Sequence, residues 1–256
     1  NVASTSQSNN SISLNDKLAP TMTISSSTVN SGEKSNDSTI SLTFTSSEST
    51  TNFIKDDITI SGGSLSSLSG SGTTYTATLT PSGDATYTIS VAQNKFTDSA
   101  GNNNSASNTF TWTFDGTAPI ITSILPSWSS YLNATEDNNS GTVTVTTSGV
   151  EDGQILTITL NGTNYTGSIS SNSVTITISA TDLQELTEGT NTITANVSDA
   201  VGNAASEAST TFIYDKTAPS ISSIIPSWGS VLNATEDNSS GTVTVSTSGV
   251  EDGQTV

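Results

Sequence analysis

Gly141-Thr142-Val143-Thr144-Val145-Thr146-Thr147-Ser148 alternates apolar and hydroxyl side chains, and it returns as Gly241-Thr242-Val243-Thr244-Val245-Ser246-Thr247-Ser248. Alternation with period two puts the valines on one face of an extended strand and the hydroxyls on the other. Thr and Val are β-branched and suit a pleated, half-buried surface. The offset of 100 holds well beyond this strand: residues 117–156 and 217–256 align without a gap, with 31 of 40 positions identical. A fainter copy lies upstream, where Asp16-Lys17-Leu18-Ala19-Pro20 matches Asp115-Gly116-Thr117-Ala118-Pro119 and Asp215-Lys216-Thr217-Ala218-Pro219. A unit of about 100 residues is too long for a solenoid repeat and right for an autonomous domain.

Within a unit, period-2 runs are separated by turn residues such as Ser-Gly, Gly-Gly and Pro-Ser-Gly-Asp. The pattern predicts strands near 21–27, 38–46, 51–54, 57–62, 73–80, 85–92 and 107–114 in the first unit. In the second it predicts 120–125, 141–148, 154–160, 164–170, 173–179, 190–197 and 206–214, with one helical turn at Thr181 to Thr187. Seven short strands in about 100 residues are the pattern of an immunoglobulin-like sandwich. The expectation is therefore an all-β chain of tandem immunoglobulin-like Greek-key β-sandwiches, strung like beads. Domain 1 covers 16–114, domain 2 covers 115–214, and 215–256 is an incomplete third domain. Residues 1–15 read as the last strand of a preceding repeat or as an N-terminal donor strand. On this reading both ends are cut, the excerpt of a longer chain being favoured over a fragment completed by a neighbour's strand.

Composition removes whole classes of function. The chain has 256 residues, 23 acidic side chains against 5 lysines, no histidine and no cysteine, for a net charge of −18. Without imidazole or thiolate there is no Ser-His-Asp or Cys-His machinery, no disulfide and no zinc knuckle. Nucleic acid and anionic membrane surfaces both demand a basic patch, so neither is an expected partner. No stretch approaches the roughly 18 apolar residues of a membrane span. Serine and threonine, 49 and 47 of them, fill the wet faces of the strands.

The residues resemble a family. Units that open with Asp-x-Thr-Ala-Pro and carry Asp-x-x-Gly-Asn before the last strand are similar to the bacterial Ig-like repeats of giant cell-surface adhesins. Here the motifs are Asp115 to Pro119, Asp215 to Pro219, Asp98 to Asn102 and Asp199 to Asn203, while Asp16 to Pro20 departs with Leu18 in place of Thr. The resemblance covers 16–256. It implies a non-catalytic stalk or spacer, extracellular and secreted or anchored at the cell surface, with neighbouring repeats as its partners and calcium bound at the joints. A rival reading is a self-assembling filament or surface-layer subunit, like subunits being joined by strand donation from Asn1 to Asn15.

Sandwich geometry gives the calcium expectation an independent footing. The chain enters a seven-strand sandwich at the end carrying the B–C, D–E and F–G loops. Asp115, the loop with Glu151 and Asp152, and the loop from Asp199 to Asn203 all converge on that end of the second unit. By the same rule Asp16, Glu48, Asp98 and Asn102 gather at the entrance of the first, and Asp215, Glu251 and Asp252 at the entrance of the third. Oxygen-only ligand sets favour Ca²⁺ over transition metals. The same Asp and Asn residues read equally as turn caps that bind backbone amides. Glu136 and Asp137 read as a solvated acidic loop, Trp112, Trp128 and Trp228 as packing residues, and Gly101 and Gly202 as turn residues of positive φ. Asp56 and Asp57, adjacent on an expected strand, would face opposite ways and make no glycosidase pair.

Overall fold

The structure, a computed structural model, describes residues 16–250 and Thr255. The readings of Asn1 to Asn15, Glu251 and Asp252 lie outside the described residues. The chain divides into two compact units, Asn1–Ala118 with Ser198–Ala204, and Pro119–Val197 with Ala205–Val256.

The first unit holds strands β1 (Met22–Ser26), β2 (Lys34–Ser35), β3 (Ile40–Thr50), β4 (Ile58–Ile60), β5 (Ser64–Leu65), β6 (Ser69–Thr80), β7 (Ala85–Val91) and β8 (Phe110–Phe114). They form two four-stranded sheets in the orders β1-β3-β6-β5 and β2-β8-β7-β4, a Greek-key sandwich. Alternation does what the pattern predicts: in β3 the side chains of Ile40, Leu42 and Phe44 are wholly buried while Ser41 and Thr45 face water. Leu79, Ile89, Phe110 and Trp112 meet them from the other strands. Burying such side chains supplies about 1.5–3 kcal/mol apiece, which is how a chain with only 31% hydrophobic residues still folds. Trp112 is packing, as expected, and its indole N–H donates to Ser35 Oγ at 3.0 Å.

The second unit holds β9 (Ile120–Pro126), β10 (Tyr131–Asn133), β11 (Gly141–Ser148), β12 (Ile155–Leu160), β13 (Thr163–Ser168), β14 (Ser173–Ile178), helix α1 (Ala180–Gln184), β15 (Gly189–Asn196) and β16 (Ala208–Asp215). Its sheets run β14-β11-β9 and β10-β16-β15-β12-β13. Val143 and Val145 of the repeated stretch are fully buried, and Trp128 packs edge-on against Phe212 with ring centroids 5.2 Å apart. Gly141 is required beside it, since a Cβ there would lie 2.4 Å from the Trp128 ring. The helical turn expected at 181–187 is α1, capped by Ser179 Oγ accepting the Asp182 amide at 3.1 Å.

Strands β17 (Ser220–Pro226) and β18 (Val243–Ser248) repeat β9 and β11 and pair antiparallel in the same way. Here Val243 and Val245, counterparts of Val143 and Val145, are exposed. In the second unit, side chains from β12, β15 and β16 share the core with those valines.

Two expectations need correction. Residues 51–54 form no strand: Phe53 turns inward against Tyr75 and Phe96, and Lys55–Asp57 make a 3-10 turn that Asp57 caps by accepting the Ile54 amide at 2.9 Å. Asp56 and Asp57 therefore lie on a turn. Pattern also missed β2 and β10, two and three residues long, too short to show periodicity.

Candidate metal site and linker loops

The loop from Asp98 to Asn102 is built by its own sequence. Gly101 takes φ +91°, a backbone conformation that disfavours any side chain, and closes a tight turn. Asp98 Oδ1 accepts the amides of Ala100 at 2.8 Å and Asn102 at 2.9 Å. The Asn102 side-chain amide then donates to Asp98 Oδ2 at 2.8 Å and to the backbone carbonyl of Asp16 at 3.2 Å. So the motif caps a turn and also grips the entering chain.

Glu48, at the end of β3, completes a cluster. Asp16, Glu48 and Asp98 each offer a carboxylate oxygen, all within 4.8 Å of one another. Glu48 Oε1 is buried and has no hydrogen-bond partner. Its pKa is raised, chiefly by burial and then by the charges of Asp16 and Asp98. Asp98 is held below the usual range, first by the Asn102 side-chain amide and then by backbone N–H groups, against the opposing pull of burial. One carboxylate is thus held ionised while its neighbour pays for repulsion and lost hydration. A divalent ion bound by oxygen would remove both costs, and a carboxylate set with a spare buried oxygen fits Ca²⁺.

The loop from Asp199 to Asn203, part of the first compact unit, has the same build. Gly202 has φ +94°, and Asp199 Oδ1 accepts the amides of Val201 at 3.1 Å and Asn203 at 2.8 Å. Asn203 donates to Asp199 Oδ2 at 2.8 Å and to the Asp115 carbonyl at 3.0 Å. The Asp115 carboxylate is engaged elsewhere, by an ion pair with Lys34 Nζ at 2.7 Å and by the Thr117 amide at 3.2 Å. Asp152 is exposed and accepts the Ser171 amide at 2.7 Å, closing the turn after β13, and Glu151 beside it is half-buried. Asp215 accepts the Thr217 amide at 2.9 Å. Among the described residues, Asp16, Glu48 and Asp98 are the one group of three acids with oxygens that close together. Both asparagines act as amide donors, the turn-capping reading of the motif.

Asp137 corrects another expectation. It is 5% exposed, not solvated, and accepts the phenol of Tyr214 at 2.7 Å. Burial, then the Asp137 carboxylate, push that phenol up to about 12. Glu136 stays exposed and accepts the amide of Asn133 at 3.1 Å. A buried Asp inside a repeated Asn-Ala-Thr-Glu-Asp-Asn stretch carries no signal in sequence, because its partner lies 77 residues away.

Two-layered Greek-key packing with these motif loops defines a class, the immunoglobulin-like β-sandwich repeat. Residues 16–114 match the family model of the bacterial Ig-like domain. No curated protein matches. Among solved structures, a bacterial immunoglobulin-like domain from the M. primoryensis ice-binding adhesin is similar at 22% identity, over 36% of this chain and 96% of that one, with a TM-score of 0.29. A Ca²⁺-stabilized adhesin that helps an Antarctic bacterium reach out and bind ice is similar at 16% identity, over 86% of this chain and 54% of that one, with a TM-score of 0.46. A tetra-tandem repeat in the extending region of a large adhesion protein is similar at 19% identity, over 91% of this chain and 64% of that one, with a TM-score of 0.35.

Proposed function

We propose that this chain is a non-catalytic stretch of the stalk of a bacterial cell-surface adhesin, extracellular, with Ca²⁺ held where chain enters a sandwich. The observation that carries the calcium reading is the buried, unpartnered Oε1 of Glu48, on a carboxylate that has an oxygen within 4.8 Å of those of Asp16 and Asp98. The family match over 16–114 and the tandem repetition of Asp-x-Thr-Ala-Pro support the spacer role. The mechanism is mechanical. Asp16 belongs to the entering segment and Glu48 and Asp98 to the sandwich, so an ion shared by the three removes freedom from the segment. Asn102 holds the Asp16 carbonyl, and Asp98 is kept ionised at its turn, ready to bind.

The test is thermal unfolding of the full chain with millimolar calcium and with excess chelator, alongside small-angle scattering. Calcium is expected to raise the Tm and to reduce conformational spread, and Glu48→Gln to abolish most of the difference. Identical melting and scattering in the two conditions sinks the calcium reading and leaves the sandwich fold untouched.

A further inference from the structure

Two acids outside the carboxylate cluster perform one task in two places. Asp84, immediately before β7, accepts the amide of Gly116 at 2.7 Å and the hydroxyl of Thr117. Glu188, immediately before β15, accepts the amide of Lys216 at 3.1 Å and the hydroxyl of Thr217 at 2.8 Å. β7 and β15 are the penultimate strands of their sandwiches, and the residues gripped are the second and third of each Asp-x-Thr-Ala-Pro segment. The acids differ by a methylene, and their spacing of 188 − 84 = 104 departs from the linker offset of 100. The bond pattern is retained although neither the residue type nor the spacing is.

The surroundings reinforce each grip. In the first sandwich Lys34 of β2 pairs with Asp115 at 2.7 Å, tying the start of the segment to the sheet that also holds β7. Gly116 lies so close on Phe114 that a Cβ would stand 2.7 Å from its ring. In the second, Lys216 places its ammonium 5.7 Å from the Tyr214 ring centroid, a cation–π distance. Asp115 and Asp215 each accept the amide of the Thr two residues on, which restrains the backbone that carries the hydroxyl.

We infer that Asp84 and Glu188 are positioning residues that clasp the outgoing linker to the sandwich it leaves, through the Thr of Asp-x-Thr-Ala-Pro and without a metal ion. The inference deepens the stalk reading and rests on it: the calcium cluster restrains a segment against the sandwich it enters, and the clasp restrains one against the sandwich it leaves. The motif's Thr is then a ligand for an acid in the preceding unit. Leu18, where Asp16-Lys17-Leu18 departs from the motif, has no hydroxyl to offer a clasp.

The experiment is amide hydrogen exchange of the full chain, followed on peptides covering 115–119 and 215–219, in calcium and in excess chelator. Thr117→Val is expected to speed exchange of the first peptide about fivefold and leave the second alone, Thr217→Val the reverse, with equal effects in both solutions. Asp84→Ala, which changes an exposed side chain, reproduces Thr117→Val and adds loss of protection at Gly116. Peptides from β3 and β11 report whether either sandwich has loosened. Wild-type exchange in all three variants overturns the clasp, as does a difference seen only in calcium. Glu48→Gln, measured in parallel, reports on the cluster alone, so loss of the calcium effect with the Thr effects intact removes the calcium reading and keeps the clasp.

Discussion

Glu48 and Asp84 carry the same charge and have opposite responses to pH. Glu48 has a raised pKa from burial and from Asp16 and Asp98, so its contribution is complete below the ordinary Glu value and is lost as pH rises through the folded value. Without calcium, the first sandwich should therefore lose stability as pH climbs through and above the usual Glu range, and calcium should restore it. Glu48→Gln removes the repulsion and is expected to raise the Tm in chelator by a few degrees while abolishing the calcium response; melting curves at several pH values check both. Asp84 is held low, first by the Thr117 hydroxyl and then by the Gly116 amide, so the stability it lends is present above the ordinary Asp value and lost only as pH falls through the lowered one. Tyr214→Phe leaves the buried Asp137 short of its donor, an expected cost of about 1–3 kcal/mol in denaturant unfolding of the second sandwich.

Elements are set by how each strand meets its neighbours. The valines of β11 are buried in β11 and exposed at the equivalent positions of β18, although the two sequences are nearly the same. Alternation determines which side chains share a face, and the opposite sheet determines whether that face is dry. Each sandwich also sends a short strand across to pair in parallel with its last strand, β2 with β8 and β10 with β16. Gly141→Ala tests packing at this scale: with the Trp128 ring 2.4 Å from the new Cβ, the expected loss is about 1–3 kcal/mol, read from urea unfolding and from Trp128 fluorescence.

At the scale of the whole molecule, the net charge of −18 is unevenly spread. Residues 16–114 carry 8 acids and 4 lysines, whereas 115–214 carry 10 acids and no lysine. Like charges repel over a Debye length of about 10 Å at 0.1 M salt. Adding monovalent salt in chelator should therefore raise the melting temperature of the second sandwich more than that of the first, a difference readable from Trp112 and Trp128 as site reporters. No helix among the described residues is long and apolar enough to cross a membrane.

The all-β class, the period of the repeat and most strand positions were legible in the chain, because alternation and turn residues act over a few neighbours and leave a local mark. The gathering of Asp16, Glu48 and Asp98 followed from one further step, knowing which loops share an end of a sandwich. The tertiary structure alone decided what each acid does. It set a buried unpartnered oxygen on Glu48, a lysine against Asp115, a phenol on Asp137 and a threonine hydroxyl on Asp84 and on Glu188. Those roles depend on partners from 28 to 81 positions away, as between Glu188 and Lys216 or Lys34 and Asp115. A carboxylate's charge is written in the sequence, whereas its pKa and its ligand depend on which distant donors, charges and apolar atoms folding brings within a few ångströms.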